Sequence, residues 1–315
     1  MLKTIFFGAP AISVPFLEQL HSLTEVILVV TRPDRPAGRG LNLTPCPVKK
    51  RALELGLKVI SPEIFKNEVG YISSLKADLG LAVAYGKIFK KPALDAFKLG
   101  IINIHFSLLP QYRGAAPVQY ALFEGRTQSG VTAFWIDEGL DSGPIAAQNK
   151  VEISPQDNEI TLFEKLTIAA EETLQKVIDD IINGKIIKTP QSGVATFAPL
   201  IEKQDTVLSF KTMTAGQIHN IVRGLAGGVP AYAKAKTPDG ITVQILKTSL
   251  KPFNTAARRY QAGTIIAVER GLGFFVECYK EVLFIENIRP AGKTAMSAWD
   301  YANGKKLSAG KIIFT

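Results

Sequence analysis

Five short apolar runs recur between residues 3 and 105: "KTIFFG" (3–8), "VILVV" (26–30), "LKVI" (57–60), "LGLAVAY" (79–85) and "GIINIH" (100–105). They are nearly continuous in Val, Ile, Leu and Phe rather than alternating with polar residues. A strand that is apolar on both sides must be covered on both sides, the condition met by a parallel sheet between helices. The intervening stretches 11–22, 47–55 and 63–75 carry helical spacing and supply those helices. The succession predicts an α/β, Rossmann-like, mostly parallel sheet with helices on both faces. "TRPDRPAGRGLNLTPCP" after the second run reads as a long polar loop.

Further on, a helix is predicted at 116–125 and strands at 129–136 and 143–153. No helix separates these two strands, so they are expected to form an antiparallel edge. Residues 160–182 hold a long helical period that stops at Asn183-Gly184. Pro190, Gly193 and Pro199 in polar company mark 185–205 as a linker. A short helix at 214–223 is followed by five closely spaced strand signals, with turns at Asp239-Gly240 and Gly271/Gly273. This pattern predicts a small OB-like β-barrel. The expected division is a first domain at 1–188, a linker at 189–206 and a barrel at 207–315.

Charge follows the same division. Residues 1–205 hold 22 Lys and Arg against 22 Asp and Glu, while 206–315 hold 15 against 6 and carry the whole net charge of +9. A basic domain attracts polyanions by releasing their counterions. It is also a simple way to stay soluble, and charge alone leaves both readings open. No apolar run is long enough to span a membrane. The first residues read as strand, turn and helix rather than as a signal peptide, because Gly8, Pro10 and Pro15 interrupt them. Cys46 and Cys278 are far apart and in no metal or redox spacing, so a reducing, cytoplasmic setting is expected.

Several chemistries are excluded by missing motifs. The turn after the first strand is "GAP" rather than G-x-G-x-x-G, and no G-x-x-x-x-G-K-[ST] occurs. His21, His105 and His219 have no helical pairing and no C-x-x-C beside them, so no metal is expected. Ser107 lacks a nucleophile elbow. Asn103 and His105 remain. They are two residues apart and so share one face of a strand where it reaches the sheet's carboxyl edge, where such sheets bind ligands. The alternative is that loop backbone satisfies both. The acidic loop "DEGLDSG" (137–143) offers Asp137, Glu138 and Asp141. A carboxylate reaching the imidazole would orient it and raise its pKa, and a protonated ring with an amide would then stabilise an oxyanion in acyl-type transfer.

"NIHFSLLPQYRGAAP" (103–117) followed by "DEGLDSGP" resembles the 10-formyltetrahydrofolate-dependent formyltransferases over roughly residues 1–185. "RPDRPAGRGLNLTPCPVK" (32–49), "RGAAPVQYAL" and "IRPAGKTAMSAWDYANG" (288–304) resemble the members that act on methionyl-tRNA. The resemblance implies Asn103, His105 and Asp141 as catalytic residues. It implies that Ser107, Leu108, Leu109 and Pro110, with Lys87 and Phe89 of "AYGKIF", lie against the folate carrier. It implies Arg39 as a contact to tRNA. The donor would be 10-formyltetrahydrofolate and the acceptor initiator methionyl-tRNA, with no metal and a monomeric, cytoplasmic enzyme. Phe106 departs from the family pattern, which has glycine or proline after the histidine. "GRGLNL" lacks the lysines common after Gly-Arg-Gly, and "LAGGVPAY" (225–232) departs from a Pro-Trp-Pro-like stretch. Two other readings stay open: the same chemistry on a sugar-nucleotide amine or a purine precursor, and an RNA-binding module without activity.

Overall fold

The structure is a computed structural model that describes residues 1–37, 42–229, 231–253 and 260–315. The chain forms two compact units. The first comprises residues 1–114, 129–152 and 164–198, and the second 115–128, 153–163 and 199–315.

In chain order the strands of the first unit are β1 (Lys3–Gly8), β2 (Glu25–Val30), β3 (Arg35–Ala37), β4 (Asn42–Thr44), β5 (Val59–Ile60), β6 (Leu79–Val83), β7 (Gly100–His105), β8 (Gln128–Trp135) and β9 (Ile145–Glu152). Helices α1 (Val14–Leu23), α2 (Pro47–Glu54), α3 (Val69–Ser74) and α4 (Lys91–Leu94) fall between them. α5 (Pro117–Phe123), between β7 and β8 in the chain, belongs to the second unit, and α6 (Glu159–Ile182) follows β9, with its residues from 164 on in the first unit. Seven strands form one sheet in the order β5-β2-β1-β6-β7-β8-β9. The pairs β2–β5, β1–β2, β1–β6 and β6–β7 are parallel, and β8 runs antiparallel to β7. The Rossmann-like sheet is as the apolar runs predict, and β8 and β9 lie side by side at its edge as expected, while the antiparallel pairing of β8 with β7 goes beyond what the sequence suggested. Strand order reverses between β1 and β6, which makes their carboxyl ends a crevice. Ser13 crosses it, donating its hydroxyl to the Val83 carbonyl at 2.7 Å.

Local chemistry sets the ends of these elements. Pro residues open α1, α2 and α4 at their first turns, where the missing N–H costs nothing. Gly184, at φ 76°, stops α6 as the Asn-Gly pair predicts. Two predicted elements come out shorter. The stretch 63–75 splits into a 3₁₀ turn (Phe65–Glu68) and α3, and the run at 57–60 pairs only at Val59–Ile60. The polar loop after β2 contains a hairpin, β3–β4, which its lack of apolar periodicity hid. The linker also needs correction. Residues 185–198 belong to the first unit, because Thr189 pairs with Ile145 and the backbone of Ala198 donates to the Arg113 carbonyl at 2.8 Å.

The second unit holds α7 (Ala215–Gly224), β10 (Lys234–Lys236), β11 (Thr242–Ser249), β12 (Ile265–Glu269), β13 (Gly273–Glu277), β14 (Val282–Pro290), β15 (Met296–Ser297) and α8 (Ala298–Gly304). Its antiparallel sheet has the order β10-β11-β14-β13-β12, with β15 on β14, consistent with a small barrel. α7 starts in a capping box between Thr214 and Gln217. Phe210 stacks on Phe314 at 4.7 Å inside a core that includes Ile218, Val243, Phe274 and Ile285. α8 was not legible in the sequence, because polar residues interrupt "AWDYANG".

In the first unit Phe7 is fully buried, with Phe65, Tyr85, Phe89 and Phe97 edge-on around it at 5.0 to 6.0 Å. Phe7→Ala should cost about 3–5 kcal/mol of first-unit stability. Urea unfolding in a Trp299→Phe background, with Trp135 as the remaining tryptophan reporter, measures it.

Candidate active site

Strand β7 presents Asn103 and His105 on one face, opposite Phe134 and Thr132 of β8. Asn103 is half-buried, and His105 is 6% exposed. His105 Nε2 lies 2.9 Å from the Tyr112 carbonyl. A carbonyl only accepts, so Nε2 carries the hydrogen and Nδ1 of the neutral ring keeps its lone pair. Nδ1 faces Asp141 Oδ2 at 3.8 Å, too far for a direct hydrogen bond. That oxygen accepts instead from the Gly114 backbone at 2.8 Å. The two acceptors thus face each other at 3.8 Å, near enough for the carboxylate's charge to act on the ring.

Burial is the largest influence on His105 and lowers its pKa below the ordinary 6.5. The Asp141 charge and the Tyr112 carbonyl pull the other way without overcoming it. This reverses the sequence expectation of a protonated imidazole held up by its carboxylate. A ring withdrawn from water loses more as a cation than a carboxylate at 3.8 Å returns. At neutral pH His105 is a proton acceptor at Nδ1.

The acidic loop divides its carboxylates. Asp137 closes the loop on itself, accepting from the Gly139 backbone at 3.0 Å and the Ser142 hydroxyl at 2.8 Å. Glu138 accepts from the Lys91 backbone at 3.3 Å. Asp141 alone reaches the histidine, from a backbone with φ 47°, the left-handed region that Asp tolerates better than most residues. Gly143 is required because a Cβ there would overlap the Trp135 carbonyl oxygen.

The Ser-Leu-Leu-Pro turn is tied to β8 and β9. The Thr132 hydroxyl donates to the Ser107 carbonyl at 2.7 Å and accepts from the Leu109 backbone at 3.1 Å. Gln148 donates to the Leu109 carbonyl and to Thr132 Oγ1, both at 2.9 Å. Ser107 is fully buried, its hydroxyl spent on the Gln111 carbonyl at 2.6 Å, and Leu109 is also buried. Leu108 and Pro110 keep partly exposed side chains, and the Leu109–Pro110 bond is cis. Phe106 is buried with its ring edge-on to Phe16 at 6.3 Å, so the unusual ring fills core rather than narrowing the site. Thr132 and Gln148 were missed from the sequence, where their one signal is polarity inside strands.

In the segment after β6, Tyr85 and Phe89 turn their rings into the core, while Ala84, Gly86 and Ile88 are exposed. Ala84 (φ 49°) and Gly86 (φ 74°) turn the backbone outward. Lys87 donates to the Pro62 carbonyl at 3.2 Å and the Glu63 carbonyl at 3.4 Å. Arg39 lies outside the described residues. Among the described residues no group of three or more His, Cys, Asp or Glu is placed to hold a metal.

An amide, an imidazole and a carboxylate lie at the carboxyl edge of a Rossmann-like sheet, with the Ser107 hydroxyl spent on the Gln111 carbonyl and the Ser142 hydroxyl on Asp137, an arrangement that suits group transfer without a side-chain nucleophile. The chain belongs to the formyl transferase family: the formyl transferase model matches residues 3–178, and the model of the family's C-terminal domain matches residues 200–306. It is similar to the methionyl-tRNA formyltransferase of Elusimicrobium minutum (strain Pei191), with 45% identity covering 99% of this chain and 100% of the relative. The methionyl-tRNA formyltransferase of Bacillus subtilis (strain 168) is 36% identical over 99% of this chain and 98% of its own length. An N-formyltransferase from Helicobacter canadensis, solved with folinic acid and dTDP-3-aminofucose, shares the fold. Its TM-score is 0.66 at 21% identity, covering 90% of this chain and 98% of that one.

Gly143→Ala should displace the loop that carries Asp141 and lower formyl-transfer kcat on the order of 100-fold, because displacements near 1 Å are that costly in a catalytic array. Steady-state kinetics beside a melting curve measure it, with Tm changing far less than kcat.

Proposed function

We infer that the chain transfers the formyl group of 10-formyltetrahydrofolate to the α-amino group of methionyl initiator tRNA, for translation initiation. The observation that carries this reading is the end-to-end match, through both family domains, to methionyl-tRNA formyltransferases at up to 45% identity. The folate donor supplies an activated formyl carbonyl. Asn103 donates its carboxamide hydrogen to that oxygen as it gains charge. His105 Nδ1 takes the proton released by the attacking amine, and Asp141 stabilises the imidazolium. His105 then returns the proton as the carrier nitrogen leaves.

Around this centre, Leu108 and Pro110 offer apolar surface to the carrier, on a turn shaped by Ser107 and Leu109. Residues 84–89, including Lys87 and Phe89, hold its pterin through backbone groups. Arg39 contacts the tRNA acceptor end, and the basic residues of 207–315 bind its phosphates. On this reading chemistry falls to the first unit and tRNA binding to the basic residues after 206. The reading expects a monomer acting in the cytoplasm.

Purified protein with the formyl donor should formylate methionyl initiator tRNA and neither methionyl elongator tRNA nor a dTDP-amino sugar. Formylation of the amino sugar alone would overturn the acceptor assignment. Asp141→Asn should lower kcat by a factor on the order of 10²–10³ with the fold intact. Arg39→Ala should raise the KM for charged tRNA, spare the KM for folate and reduce the salt slope of tRNA binding by about one.

A further inference from the structure

Residues 185–198 lie within the first unit, and one side chain from this stretch meets both halves of the catalytic array. Gln191 Nε2 donates to the Asp141 carbonyl at 2.8 Å and to the Gly143 carbonyl at 2.9 Å. Its Oε1 accepts from Arg113 Nη2 at 2.7 Å. The Arg113 contact settles which way the amide faces: a guanidinium only donates, so it must meet the oxygen, which leaves both amide hydrogens for two carbonyls that only accept. Arg113 lies between Tyr112, whose carbonyl holds His105, and Gly114, whose N–H holds Asp141. The same stretch is fixed from the other side, where the Thr196 hydroxyl accepts from the Tyr112 backbone at 2.9 Å and the Thr196 carbonyl from the Arg113 backbone at 2.9 Å.

The residue Gln191 grips is the strained one. Asp141 sits at φ 47°, a conformation that persists only where its surroundings enforce it. Two hydrogen bonds bracketing the turn, at the carbonyls of residues 141 and 143, supply that enforcement. They leave the Asp141 carboxylate free to meet the Gly114 backbone and His105.

We propose that Gln191, oriented by Arg113, is a positioning residue of the formyl-transfer reaction: it holds the Asp141 loop at the distance from His105 that proton transfer needs. The proposal rests on the roles given above to Asp141 and His105. The Gln191 amide is spent on Arg113, Asp141 and Gly143, so its loss should act on kcat and leave substrate affinity alone.

Two replacements separate this role from a plain structural one. Gln191→Leu removes all three bonds. Gln191→Glu keeps an acceptor for Arg113 but has no hydrogen to give, and it sets a carboxylate against two carbonyl oxygens. Steady-state formylation of charged initiator tRNA is measured for both, with Tm, beside Asp141→Asn. The expected result is a kcat lowered on the order of 10–100-fold in both Gln191 variants. The KM values for folate and tRNA stay near wild type. Gln191→Glu is close to isosteric and carries the test if the leucine variant does not fold. Wild-type kcat in Gln191→Glu would mean that only the Arg113 contact matters and would overturn the proposal. A raised tRNA KM at unchanged kcat in either variant would overturn it as well, since residue 191 would then act in binding. Loss of activity in Asp141→Asn with normal Gln191 variants defeats this inference alone. Full activity in Asp141→Asn defeats the reading beneath it.

Discussion

The hydrogen bond from His105 Nε2 to the Tyr112 carbonyl, made out of contact with water, is the constraint on which the site depends. It fixes which ring nitrogen bears the hydrogen and leaves Nδ1 as a base directed at Asp141. Burial then keeps the ring neutral despite the carboxylate. The array is a base whose free nitrogen faces an anion, with the Tyr112 carbonyl behind the ring, and it suits receipt of a proton from an amine. A cationic donor, which the same residue types also suggest, is disfavoured by the desolvation of the ring.

The sheet explains how these groups meet. Parallel strands bring β7 to the carboxyl edge, where an apolar strand ends in polar residues. The antiparallel return of β8 sets Thr132 opposite His105. From there Thr132 and Gln148 pin the turn that follows the histidine. Ser107 and Leu109 therefore shape the turn from inside, and the surface left for a carrier comes from their neighbours. The loop holding Asp141 extends between β8 and β9, so its position depends on the edge of the sheet and on what covers that edge.

Much of this was legible in the sequence because it follows from periodicity and spacing. Continuous apolar runs gave the parallel sheet, and Asn103 and His105 stood out as a polar pair at a strand end. Other features were not legible, for reasons that are local and physical. The β3–β4 hairpin is stabilised by backbone pairing without an apolar pattern. Phe106 is unusual in the family pattern but ordinary in the fold, since it packs on Phe16. Gln191 lies in a stretch rich in proline, glycine and polar residues that looks like a linker, and only the folded chain shows its amide meeting Asp141 and Gly143. The direction of the His105 pKa shift is invisible to sequence as well, because burial of a particular ring is a tertiary property.

The central claim is that His105 works as a neutral base, and an NMR titration of its ring in the folded protein tests it most directly. Below pH 6.5 an exposed imidazole gains its proton, whereas burial should hold His105 neutral further into acid. The account predicts a midpoint below 6.5, with the hydrogen on Nε2 throughout the neutral range. A midpoint at or above 6.5, or a hydrogen residing on Nδ1, would contradict it.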